Sequence, residues 1–153
     1  MKKLLLIIIV LLSANTVTYG KGVDTYLELL KSDIRTKKVA IITEALGLTD
    51  EESSVFWPIH REYELELSKM IDDRIEMIED YIQNYDDLTD EKAREIAKKV
   101  FALEKRRTKL KKKYFKKVEK ALSAIIAAKF IQVESQINLV ADLQIASELP
   151  LIK

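Results

Sequence analysis

The segment Glu79–Lys92, EDYIQNYDDLTDEK, decides the fold. Upstream of it a helical apolar pattern runs out at Tyr85, and Asp86, Asp87 and Leu88 leave room only for a short turn. Thr89 can then cap a new helix, because its hydroxyl accepts an orphan backbone N–H, and Asp90 and Glu91 stand on the positive end of the helix dipole. Two long helices joined by so short a turn must lie side by side and antiparallel. At 1.5 Å per residue each arm is roughly 50 Å long.

Working outward, the upstream arm starts at Thr49, whose side chain can accept from the backbone of Glu52 while Glu52 reaches back, a capping box. That helix is expected from Asp50 to about Tyr85, with Phe56, Ile59, Tyr63, Leu67, Met70 and Ile78 on one stripe. Pro58 removes one backbone donor and should bend the helix near Ser54 without breaking it. The downstream arm should run to about Leu122. Its stripe of Ala93, Ile96, Val100, Leu103, Leu110, Tyr114, Val118 and Ala121 steps by threes and fours and is interrupted at Arg107. A shorter helix capped by Asp24 is expected to end at Leu46, before Gly47, with Ile41, Ile42 and Ala45 on its inner face. Another, capped by Ser123, carries Phe130, Val133, Ile137 and Val140 inward and must stop before Pro150. With only 3 Gly and 2 Pro in 153 residues there is little room for loops, so the expectation is one all-α domain over residues 21–153. Its four helices run short, long, long, short on an antiparallel hairpin. At roughly 35 Å each, the outer helices would leave part of the hairpin near its turn uncovered, which favours a thin homodimer.

Residues 1–20 read as an address. Lys2 and Lys3 precede an apolar run from Leu4 to Leu12 and then small and polar residues to Gly20, the three-part form of a cleaved secretory signal. The apolar run is far shorter than the roughly 20 residues that span a bilayer. Losing Lys2 and Lys3 takes the bases from 26 to 24 against 25 acids, so the exported chain has a formal charge of −1. The chain lacks cysteine, which excludes disulfides and thiolate metal sites. Export argues against nucleic acid as a partner in spite of the basic run EKRRTKLKKKYFKKVEK, Glu104–Lys120.

Charge is divided between the arms: residues 44–91 hold 16 acids and 3 bases, residues 92–129 hold 15 bases and 3 acids. Folding the hairpin at its turn sets Asp80 near Arg94, Glu76 near Lys98, Glu66 near Thr108 and Glu62 near Lys112. Such pairs suit the setting of register more than the holding of the fold. On a helical wheel most bases of the downstream arm fall opposite its apolar stripe. Phe101 and Phe115, about four turns apart, lie where stripe and bases meet. Lys105, Lys109, Lys112 and Lys116 with Phe101 and Phe115 therefore form a candidate surface for flexible, partly unfolded chains, charge acting first and apolar contact second. The other reading is a solvated face with both rings packed inward. No nucleophile triad, glycine-rich phosphate loop or paired-acid pocket is legible, so no enzyme activity and no cofactor are expected. His60 reads as a boundary residue, since one histidine cannot make a zinc site. Glu62 with Glu66 and Asp72 with Glu76 have i,i+4 spacing but no accompanying Glu-x-x-His pair.

LTDEE at Leu48–Glu52, opening a long helix in an exported, cysteine-free, all-helical chain, resembles the LTxxQ hallmark of the Spy/CpxP family of periplasmic chaperones and stress proteins. Leu48 and Thr49 match the motif and Glu52 replaces its glutamine. At the place of the second copy, LSAII, Leu122 and the hydroxyl of Ser123 remain. A similar string, LTDEK at Leu88–Lys92, sits at the hairpin turn. The resemblance implies a cradle-shaped dimer with a basic, partly apolar concave face that holds unfolded envelope proteins without ATP. It also implies, for some members, restraint of a membrane sensor kinase. A helical adaptor or regulator that binds one specific partner is the alternative.

Overall fold

The computed structural model describes residues 37–152, apart from the side chains of Gln144 and Glu148. The proposed leader and the first part of the first helix lie outside the described residues. Within them the chain is helical over α1 (residues 37–46), α2 (Asp50–Gln83), α3 (Asp90–Ala121) and α4 (Ala124–Glu148). Each helix runs antiparallel to the one before. The long α2 and α3 pack as a hairpin, and α3 also packs along α4. No helix among the described residues is long and apolar enough to cross a membrane.

The helix starts follow from the capping residues. Thr49 Oγ1 accepts from the Glu52 N–H at 3.2 Å and Glu52 Oε2 accepts from the Thr49 N–H at 3.0 Å. Thr89 and Ser123 cap α3 and α4 in the same sense, each accepting at 3.2 Å from the N–H three residues on. Leu48 and Leu122, the residues just before two of these caps, pack against the core. The four family-motif positions thus start two helices and seat them. Helix α2 runs unbroken through Pro58, for buried Phe56 and His60 anchor the helix on either side of it.

The core gathers at the end of the hairpin away from the turn. Phe56, Tyr63, Tyr114 and Phe130 are fully buried there with Ile42 of α1 and Val118 of α3. Tyr63 meets Phe130 edge to face at 5.2 Å and Tyr114 at 5.3 Å, and Phe56 meets Phe130 at 5.4 Å. Toward the turn the packing thins, and of residues 71–83 only Ile78 is buried.

Several expectations are corrected. Helix α2 ends at Gln83, not Tyr85, and the turn occupies residues 84–89. Ile41, Ala45, Val100, Ala121 and Val140, expected in the stripes, are exposed. Helix α4 reaches further than its length implied: Tyr81 donates to the Pro150 carbonyl at 2.7 Å and Tyr85 to that of Leu151 at 3.1 Å, so the C-terminal tail covers one side of the turn.

The ion pairs also shift, by five residues. Glu62 pairs with Lys117, not Lys112. Glu66 meets Lys113 rather than Thr108, and Asp80 meets Lys99 as well as Lys92, not Arg94. Side chains on a helix lean toward its N-terminus. Acids on α2 therefore lean away from the turn and bases on α3 lean toward it, so Glu62, Glu66 and Asp80 reach bases whose Cα atoms lie further along, while Asp80, beside the turn, also takes Lys92.

Arg107, the interruption in the α3 stripe, is explained by α4. Asp142 accepts from Arg107 at 3.0 Å and also pairs with Arg74 of α2, which joins three helices through one carboxylate. Burial pushes the Asp142 carboxyl up, but the two guanidinium groups outweigh it and hold it below its ordinary 3.8. The stability this carboxylate contributes is present above that value and is lost as pH falls through the depressed one.

Two outcomes follow. Asp142→Asn should lower stability by about 1–3 kcal/mol in urea unfolding near neutral pH, and below pH 4 the variant should lose less with further acidification than the wild type. Gly47 sits at φ +56°, where an added Cβ meets nothing within 4 Å. Gly47→Ala should therefore cost only backbone strain, about 1 kcal/mol, read as a small fall in Tm.

Candidate functional site

The bases of α3 divide between two flanks of one helix. Lys99, Arg106 and Lys113 recur every seventh residue, and with Lys117 they face the acids of α2, pairing with Asp80, Asp73, Glu66 and Glu62. Lys105 and Lys112 repeat on another flank, joined by Lys109 and Lys116. All four are exposed, and among the described residues none of them makes an ion pair. The seven-residue spacing keeps each series on its own side of the helix. Lys112, placed opposite Glu62 by the sequence, is released to solvent by the five-residue shift.

The two phenylalanines separate. Phe101 is 72% exposed, one turn from Lys105. Phe115 is half-buried and packs against the core. Of the six residues singled out from the sequence, the structure leaves the four lysines and Phe101 open and draws Phe115 inward.

Apolar surface is also open, in part on the stretch of hairpin that the sequence leaves uncovered. An open groove of about 270 Å³ runs between α2 and α3 beside α4. Met70, Ile71, Met77, Val100 and Leu103 line it, with Arg74 and Arg107 at its polar edge. Methionine side chains adapt to varied partners because they are unbranched and polarizable. Helix α4 is apolar nearly all round: its inner face fills the core, yet Leu139 and Leu143 are 68% and 69% exposed and Val140 is open beside them. A helix apolar on every side normally has neighbours on every side.

Beside the aromatic core lies a polar cluster that the sequence reading missed. Lys38 of α1 is buried with its Nζ 2.6 Å from Glu64 Oε1 and 2.9 Å from Glu134 Oε2. His60 Nε2 stands 3.7 Å from Glu64 Oε1 and 3.8 Å from Glu134 Oε1. Glu134 has 0% exposure, and neither of its oxygens has a hydrogen bond of good geometry. Burial pushes its carboxyl up, but His60, Lys38 and Tyr63 outweigh this and hold it below its ordinary 4.5. Burial, then the Glu134 charge, pushes the Tyr63 phenol well up. The i,i+4 spacing of His60 and Glu64 was legible. Glu134 was not, because it reads as one polar residue on an otherwise apolar helix.

Comparison with family models, with curated proteins and with solved structures finds no match to this chain. Lys111 Nζ donates to Ser135 Oγ at 3.0 Å, and that hydroxyl donates to the Ile131 carbonyl at 2.7 Å. What the arrangement offers chemically is a basic outer flank with Phe101 beside it, apolar surface in the groove and on α4, and a largely buried site of two carboxylates and an imidazole.

Glu134→Gln should cost on the order of 3 kcal/mol in urea unfolding at pH 7, because the buried Lys38 loses the one of its two counter-charges that is itself fully buried. The sign with pH follows from the depressed carboxyl. Its contribution is complete above pH 4.5 and lost on acidification, so the gap between wild type and variant should close as pH falls through the depressed range of the carboxyl.

Proposed function

We propose that the protein is a non-enzymatic, ATP-independent holdase of the periplasm, exported by a signal peptide over residues 1–20 and binding unfolded or misfolded envelope proteins. The observation that carries this reading is the outer flank of α3, where Lys105, Lys109, Lys112 and Lys116 are exposed with no ion pair among the described residues and Phe101 is 72% exposed. Exposed bases attract a flexible chain at long range, and the adjoining apolar side chains hold it by contact. Charge attraction and adaptable apolar contact ask for no particular sequence in the client. The likeness of LTDEE at Leu48–Glu52 to the Spy/CpxP motif supports the same reading. In it the protein acts as a thin homodimer, which would cover part of the apolar surface left on α4 and in the groove.

A second reading rests on α4. Leu139, Val140 and Leu143 are open at i, i+1 and i+4, spacing that fits one partner helix. The protein would then be an adaptor or stress-signalling regulator for one partner, such as a membrane sensor protein.

The mature chain, added at near-equimolar ratio and low salt, should slow the aggregation of a chemically unfolded client. Changing Lys105, Lys109, Lys112 and Lys116 together to Gln should remove most of that effect, Phe101→Ala should weaken it severalfold, and neither change should move Tm by more than about 2 °C. A chain that leaves aggregation unchanged at low salt rules out the holdase. Light scattering at micromolar concentration should give the dimer mass, and a monomer would end the dimeric form of the proposal.

A further inference from the structure

The buried cluster is unusual in what it leaves unmet. His60 and Glu134 are almost wholly withdrawn from solvent, and His60 Nε2 and both Glu134 oxygens lack hydrogen bonds. Buried polar atoms without partners are rare in folded proteins, because each forfeits the hydrogen bonds it had with water. Lys38 answers part of the demand through its approach to Glu64 and Glu134. His60 Nε2 remains without a partner, however, and two carboxylates against one ammonium leave one negative charge in excess.

A divalent cation answers both. The three possible ligand atoms, one each from His60, Glu64 and Glu134, lie within 4.8 Å of one another. Metal bonds of about 2.0–2.2 Å to such donors set tetrahedral ligands roughly 3.3–3.5 Å apart. The two separations from His60 Nε2, 3.7 and 3.8 Å, are slightly wider than that, a gap that small side-chain rotations can close. His60 and Glu64 stand one turn apart on α2, and Glu134 comes from α4 packed beside it, so two rigid elements present the donors.

We propose that His60, Glu64 and Glu134 form a binding site for a first-row divalent metal ion, with the Lys38 ammonium holding the cation position when the metal is absent. One imidazole and two carboxylates suit zinc or cobalt better than calcium or magnesium, which favour all-oxygen sets. Two carboxylates neutralise the ion, and the imidazole nitrogen supplies the third bond. Because Lys38 belongs to α1, metal uptake exchanges one tie between α1 and the α2–α4 pair for a tie between α2 and α4 alone. The site is separate from the surface proposed to bind clients, and its test does not depend on that activity.

Cobalt(II) titrated into the full mature chain near pH 7.5, followed by its visible absorption, gives the direct reading. One equivalent should bind, with bands typical of nitrogen and oxygen ligands, and zinc should displace it. His60→Gln and Glu64→Gln should each weaken uptake by at least tenfold, while Lys38→Met should tighten it about tenfold by removing the competing charge. Far-UV circular dichroism establishes that each variant is folded. Uptake by Lys38→Met alone would still support the site, with the ammonium as the stronger occupant. The proposal is overturned if His60→Gln binds cobalt as tightly as the wild type, or if neither the wild type nor folded Lys38→Met takes up the ion. Should Lys38→Met fail to fold, the His60→Gln comparison decides.

Discussion

Tyr63 and Tyr114 stand on opposite arms of the hairpin and meet edge to face at 5.3 Å, while Phe130 of α4 closes on Tyr63 at 5.2 Å. The rest of the core, Leu67 and Leu110 between the arms included, gathers around this contact. Burying an aromatic side chain contributes roughly 1.5–3 kcal/mol, and an edge-to-face pair adds about 0.5–1.5 kcal/mol. An exposed ion pair contributes about 0.2–1 kcal/mol and less in salt. The ladder from Glu62–Lys117 to Asp80–Lys99 therefore aligns the arms, and the aromatic cluster at the far end holds them. The tyrosine hydroxyls keep the cluster oriented, for Tyr114 donates to Glu66 at 2.8 Å at the edge of the core.

Placing Lys38, Glu64, His60 and Glu134 next to that cluster works against stability, since removing charges from water costs more than a well-packed apolar core would. Their effect is on geometry. Glu134 can approach Lys38 and His60 only when α4 lies at one height along α2, and Lys38 can reach both carboxylates only when α1 lies across them. Asp142, between Arg74 and Arg107, repeats the device two turns further along α4. Apolar side chains on a helix as uniformly greasy as α4 tolerate slippage, whereas these pairs do not.

The fold was largely legible. Thr49 with Glu52, Thr89, Ser123 and Gly47 mark helix ends through local chemistry, and the periodic stripes between them need no knowledge of the partner. The candidate surface was legible in outline, since Lys105, Lys109, Lys112, Lys116 and Phe101 are exposed, as a helical wheel implies. Phe115 escaped the wheel because it lies at the boundary, where the neighbouring helix and not the angle decides burial. The buried cluster escaped because its members come from three helices and each looks ordinary on its own.

By itself the sequence determined the all-helical hairpin, the places where helices start, and the separation of acids and bases between the two arms. Those properties depend on residues within a few positions of one another, or on a strict period, and both can be read along a line. Tertiary structure alone decided which bases are neutralised, whether Arg107 has a partner, how far α4 and its tail reach toward the turn, and that His60 faces the buried Glu134 and the partly buried Glu64. Each of these depends on the lean of long side chains and the rotation of one helix against another. A displacement of a few ångströms there changes the partner without changing the pattern.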